Sequence, residues 1–151
     1  MKPKRLLALL AVVTVVSVFT ISASAANTED TYYTYTWNNY SRYDYTPTRN
    51  KTNATPVYIK TQEYTLPYNG YYARTLYGTT ANNATKFASA SEYWINNYTA
   101  YVIRANGTSV SQIKKYVRIR GHYSDTTYSW GDCKIAWSPD TTNASNYTYL
   151  N

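Results

Sequence analysis

One histidine, His122, and one cysteine, Cys133, stand eleven positions apart in a chain of 151 residues. A thiol beside an imidazole is the smallest constellation able to make a nucleophile, provided the two groups reach about 3 Å of one another. The pattern around them argues against it. From Tyr116 to Tyr123 residues alternate, with Val117, Ile119, Gly121 and Tyr123 on one side and Tyr116, Arg118, Arg120 and His122 on the other. Cys133, Ile135 and Trp137 share an apolar side, and Asp132 and Lys134 the polar one. His122 therefore belongs to a polar face and Cys133 to an apolar one, and Cys133 reads as a small buried hydrophobe.

Other chemistry is equally thin. The carboxylates Glu63, Glu92, Asp125, Asp132 and Asp140 are scattered, and their spacing suggests no pair for acid and base work on a glycoside. There is no phosphate-cradling glycine loop, no serine elbow and no zinc-helix motif. A lone cysteine excludes a disulfide framework and a cysteine-based zinc site. The sequence predicts a non-enzyme without catalytic residues, cofactor or metal.

What the residues do offer is a surface. Tyr116, Arg118, Arg120, His122 and Lys134 combine cations with rings, and that combination grips polymers by stacking and charge. The plain alternative is a solvated sheet face whose basic residues discourage edge-to-edge pairing. Gathering all five requires Tyr116–Tyr123 and the run ending at Trp137 to form one antiparallel hairpin across the polar segment 124–129. The buried faces allow two registers, Ile119 with Ile135 and His122 with Asp132, or Ile119 with Cys133 and Arg120 with Asp132.

The elements that must position this surface are strands. The chain holds 20 Tyr and four Trp, with abundant Thr and Asn, and aromatic and β-branched residues favour pleated, half-buried surfaces. Alternation over 31–37, resuming at Tyr43 and Tyr45, predicts an edge or outer strand. Val57–Glu63 predicts a strand with Val57 and Ile59 inward. Pro67-Tyr68-Asn69-Gly70 predicts a tight turn into Tyr71–Tyr77, and Asn106-Gly107 another. Around Trp94 a capped helical turn at Ser89–Glu92 and a strand over 93–95 are equally compatible with the residues. Tyr98–Arg104 is a further strand, Ser138-Pro139-Asp140 a stop, and Tyr147 and Tyr149 a frayed last strand. The expected fold is all-β, an antiparallel sandwich or small barrel of six to eight short strands, preceded by a signal-peptide helix.

Lys2, Lys4 and Arg5, the apolar run to Ile21 and Ala23-Ser24-Ala25 have the three-part layout of a secretory signal peptide over residues 1–25, leaving 26–151 as one domain. The run approaches bilayer-spanning length, but Thr14, Ser17 and Thr20 dilute it. Cleavage predicts a released extracellular protein with no stable membrane insertion. Removing three basic residues leaves twelve against eight acidic ones, a net charge of +4 in place of +7. That excess is too mild for a nucleic-acid binder, and it suits weak, salt-sensitive attraction to an anionic or sugar polymer such as a cell wall. The eight Asn-x-Ser/Thr triplets follow from composition.

Taken together, the signal peptide, the Tyr- and Asn-rich body, the basic strand Tyr116–Tyr123, the Arg49–Ile59 segment and the closing Gly131-x-x-x-x-x-Trp137-Ser138-Pro139-Asp140 resemble an uncharacterised family of small secreted proteins of Gram-positive bacteria. The resemblance covers about residues 48–140 and implies an extracellular β-protein, with no functional residue to carry over. Small secreted bacteriocins share this general style without their own motifs appearing here. The expected function is a polymer-binding β-domain; the alternative is a bacteriocin-like antibacterial protein.

Overall fold

The computed structural model describes residues 27–38, 41–67, 69–83, 87–88, 91–104, 116–123, 131–142 and 147–150. The expected signal peptide, the Asn106-Gly107 turn and the 124–129 segment lie outside them. Among the described residues eleven strand segments follow one another: β1 (Thr31–Trp37), β2 (Tyr43–Tyr45), β3 (Arg49–Asn50), β4 (Val57–Tyr64), β5 (Gly70–Gly78), β6 (Phe87–Ala88), β7 (Tyr93–Asn96), β8 (Ala100–Ile103), β9 (Tyr116–His122), β10 (Gly131–Ser138) and β11 (Thr148–Leu150). They exceed the expected six to eight because several span only two or three residues. The region around Trp94 is strand, and a single 3-10 turn at Ala81–Asn83 is the only helical element among the described residues.

Two sheets form an open sandwich. One has the order β1-β10-β4-β8-β11; in the other, β2-β9-β5-β6, β3 also pairs with β9 and β7 with β5. Pairing is antiparallel except for β11, which runs parallel to β8.

Period-two alternation decides what lies between the sheets. Tyr35, Trp37, Val57, Ile59, Tyr101, Ile103, Cys133, Ile135 and Trp137 of the first sheet meet Tyr71, Ala73, Tyr77, Ile95, Val117 and Ile119 of the second in one buried cluster. The tyrosines thicken this core as the composition suggests. Tyr35 stacks on Trp37 at 5.2 Å and meets Tyr71 edge-on at 5.8 Å. Gly121 makes room for them: a Cβ there would fall 2.8 Å from Trp37 Cζ2 and 3.0 Å from the Tyr35 ring. The glycine in the inward series of β9 is thus where two rings of the facing sheet press on bare backbone.

The hairpin expectation is overturned. β9 pairs with β2, β3 and β5, whereas β10 pairs with β1 and β4 in the other sheet. Neither proposed register exists, because β9 and β10 face each other across the core. Alternation reports which side of a strand is buried, and two strands can satisfy it side by side or face to face. The Asn69-Gly70 turn is corrected for the same reason: it joins β4 of one sheet to β5 of the other, and the two strands do not pair.

Cys133 lies fully buried, and burial pushes its thiol up to about 12. Thiol reagents should label it slowly in the native protein and rapidly in urea, and Cys133→Ala should cost about 1 kcal/mol. Rapid native labelling would mean that β10 presents its other face.

Candidate functional site: a basic and aromatic sheet face

Because β2, β9, β5 and β7 are neighbours, their outward residues line up in rows. The register sets Tyr43 opposite His122, His122 opposite Tyr72, and Tyr72 opposite Trp94. Four rings therefore cross four strands at one level. Tyr43 stacks on His122 with centroids 4.5 Å apart, Tyr72 lies 6.1 Å from His122, and Tyr72 meets Trp94 edge-on at 5.0 Å. The next row sets Tyr45 opposite Arg120 and Arg120 opposite Arg74, and the third sets Arg118 opposite Leu76. Rings and cations interlock between rows. The Arg118 guanidinium lies 4.4 Å above the Tyr45 ring and the Arg120 guanidinium 4.7 Å above that of Tyr43. Such contacts hold both partners in place as well as attracting them.

Glu92 enters the cluster just before β7. It accepts a hydrogen bond from Arg120, and its other oxygen lies 3.3 Å from His122 Nδ1. Burial alone would raise its pKa; the hydrogen bond and charge of Arg120, with His122 beside it, outweigh burial and hold it below the ordinary value. Glu92 thus stays ionised and neutralises part of the face, leaving an excess of positive charge from Arg74, Arg118 and Arg120.

Of the five residues singled out by sequence, Tyr116, Arg118, Arg120 and His122 project from this face, as their shared strand requires. Lys134 does not join them. It projects from the outer face of the opposite sheet, where its ammonium donates to Glu63 at 2.9 Å and lies 5.8 Å from the Tyr32 ring. It was grouped with the arginines only through the hairpin that does not form. The residues missed are Tyr43, Tyr45, Tyr72, Arg74, Glu92 and Trp94. The alternation in 43–45 and 71–77 was visible, but not that these strands flank β9.

His122 and Cys133 sit in different sheets, one facing outward and the other into the core. No hydrogen-bonded pair joins them.

A second polar constellation is structural. Asp140 is fully buried, and its side chain and that of Lys51 form an ion pair at 2.8 Å. The Lys51 ammonium also donates to the carbonyls of Thr55 and Pro139. The second Asp140 oxygen accepts from the backbone N–H of Asn27 at 2.9 Å and from the N–H and hydroxyl of Thr52. Burial pushes the Asp140 pKa up, yet the hydrogen bonds from Lys51 and Thr52 prevail and hold it below the usual value. For Lys51 the balance is opposite: desolvation lowers its pKa despite Asp140. The complete set of partners on both groups marks a clasp rather than a site open to ligand.

Arg49 reinforces the clasp, donating to the carbonyls of Glu29 and Trp137 and lying 5.4 Å from the Trp137 ring. The two segments behind the family resemblance, Arg49–Ile59 and Gly131–Asp140, are thereby fastened to each other.

Comparison with curated proteins and with solved structures finds no match to this chain. A family model described as "Protein of unknown function (DUF2712)" matches residues 21–141, a span that contains both fastened segments and ends one residue after Asp140. The chain belongs to that family.

Proposed function

We propose that this protein is released by a Gram-positive bacterium and binds an anionic extracellular polymer, such as a cell-wall polymer, through the outer face of the six-stranded sheet. The observation that carries the reading is the interlocked array of Tyr43, Tyr45, Arg118 and Arg120, with Arg74 beside them and Glu92 as the acid among them. Rings fixed at strand spacing give flat, sequence-tolerant contact area, and the excess cations attract an acidic chain weakly and in a salt-dependent way. The array is built on strands and locked by contacts between its own members, so little side-chain freedom is left to lose on binding.

Purified Gram-positive cell wall, washed at rising salt, tests the proposal. The protein should be retained at low salt and elute as salt rises. Arg118→Ala should weaken retention about fivefold, the effect of removing roughly 1 kcal/mol of attraction per cation near an anionic surface. Lys134→Ala, on the other sheet, should change nothing. No retention at low salt, or an equal loss from both variants, would refute the assignment of this face.

A further inference from the structure

The row of rings ends at Trp94, and the chain does something unusual there. Trp94 is 40% exposed, and its indole lies over Gly70 of the neighbouring strand. A Cβ on Gly70 would fall 2.8 Å from both Cε2 and Cζ2 of the indole. The ring is thus laid on bare backbone, and its Nε1–H is tied to Asn96 Oδ1 at 2.8 Å. Two residues past Asn96, in the turn from β7 to β8, Tyr98 has φ of 64°. A bulky residue seldom adopts this left-handed conformation, whereas glycine takes it without steric cost. Nor does burial of the ring repay Tyr98, which is 61% exposed and meets Tyr64 in a T-shaped contact at 5.6 Å. Asn69 anchors the turn: its carbonyl accepts from Asn97 N–H at 3.0 Å and its side-chain oxygen from Tyr64 hydroxyl at 3.4 Å. An exposed aromatic held in a costly backbone conformation is the kind of outlier from which a function can be inferred.

The partners of these rings among the described residues are other rings and amides: Tyr72, Tyr64, Asn96 and Asn69. That chemistry suits a pyranose ring, whose C–H face is apolar and stacks on an aromatic, while its hydroxyls exchange hydrogen bonds with amides. A single-stranded nucleic acid would instead want cations beside each stacking ring for its phosphates, and the described arginines of this face, Arg74, Arg118 and Arg120, stand in the next rows.

We infer that Trp94, which lies over Gly70, and Tyr98, whose turn is hydrogen-bonded to Asn69, form a subsite for a neutral sugar ring at the Asn69-Gly70 end of the sandwich. On this view, which rests on the polymer-binding reading above, the polymer is a polysaccharide that continues from this subsite onto the arginine rows.

Calorimetric titration of the intact protein with neutral hexasaccharides of glucose, N-acetylglucosamine, galactose and mannose tests the inference, beside a polyphosphate chain and an oligothymidylate. Two variants locate the site. Trp94→Leu keeps an apolar cover on Gly70 but removes the ring face, and Tyr98→Gly takes the left-handed φ freely. At least one hexasaccharide should bind, and each variant should weaken it tenfold or more. Tyr98→Gly should meanwhile leave Tm unchanged or raise it, which a packing role for the ring would not allow. Binding that neither variant alters, or a fall in Tm on Tyr98→Gly, overturns the subsite. If polyphosphate or the oligothymidylate binds, weakened by Arg118→Ala, while every hexasaccharide fails, the sugar is refuted and the charged-polymer reading survives. If nothing binds, both fall.

Discussion

Asp140→Ala should destabilise the domain by about 3–5 kcal/mol, the typical cost of removing one member of a buried ion pair and leaving the other uncompensated. Here the abandoned group is the Lys51 ammonium, whose side chain is 3% exposed. The same change leaves the N–H groups of Asn27 and Thr52 without the carboxylate they share. Domains of this size have roughly 5–15 kcal/mol of stability in all, so the variant should be largely unfolded in urea concentrations the parent withstands. Replacing both partners together, Lys51→Met with Asp140→Leu, should recover much of the loss, because no charge is then buried alone. The pair also sets an acid limit. The folded pKa of Asp140 is lowered, so its contribution is fully present above the ordinary carboxylate value and is lost as pH falls through the folded one. Urea melts at neutral and acid pH check all three statements. An Asp140→Ala melt that coincides with the parent's would show the clasp to be dispensable.

Ile119→Ala and Ile135→Ala should each cost about 2–5 kcal/mol, since both side chains are fully buried and truncation leaves a cavity between the sheets. The two residues belong to opposite walls of one core, so their effects should be similar although their strands share no ladder. Arg118→Ala should shift stability by about half a kcal/mol or less. Urea melts of these three variants decide between the two faces of β9. If Arg118→Ala unfolds the protein and Ile119→Ala does not, the inner and outer faces are reversed.

Much of this was legible in the residues themselves. Alternation assigned Val117, Ile119, Cys133, Ile135 and Trp137 to the core, and all five are buried. What it left open was partnership. A strand with one apolar face meets its requirement beside or opposite another, and the choice between them depends on distant segments such as β1 and β4. Lys134 was misplaced for that reason, and Tyr43, Tyr72 and Trp94 were overlooked for it. Arg118, Arg120 and His122 were found together because a single strand carries them, where parity alone suffices. The Lys51–Asp140 clasp was hidden differently. Hydropathy assigns a lysine in a polar Asn- and Thr-rich connection to solvent, and only a carboxylate 89 positions later provides the partner that lets it be buried.

The strand order also governs when the molecule can assemble. None of β1 to β4 pairs with another of the four; each finds its neighbours in β8, β9 or β10. The strands β1, β2 and β3 therefore have no described ladder partner until β9 or β10 has been synthesised, and β4 has none until β8, so each of these ladders must close a long loop. Topologies dominated by such distant pairings fold in roughly milliseconds to seconds rather than microseconds. During that wait Thr31–Trp37, an aromatic segment of high β-propensity, has no partner and is open to pairing with other chains. The joining of β1 to the five-stranded sheet is tied to the arrival of Gly131–Ser138, which takes its place between β1 and β4. The last long strand among the described residues is the one through which the first is held.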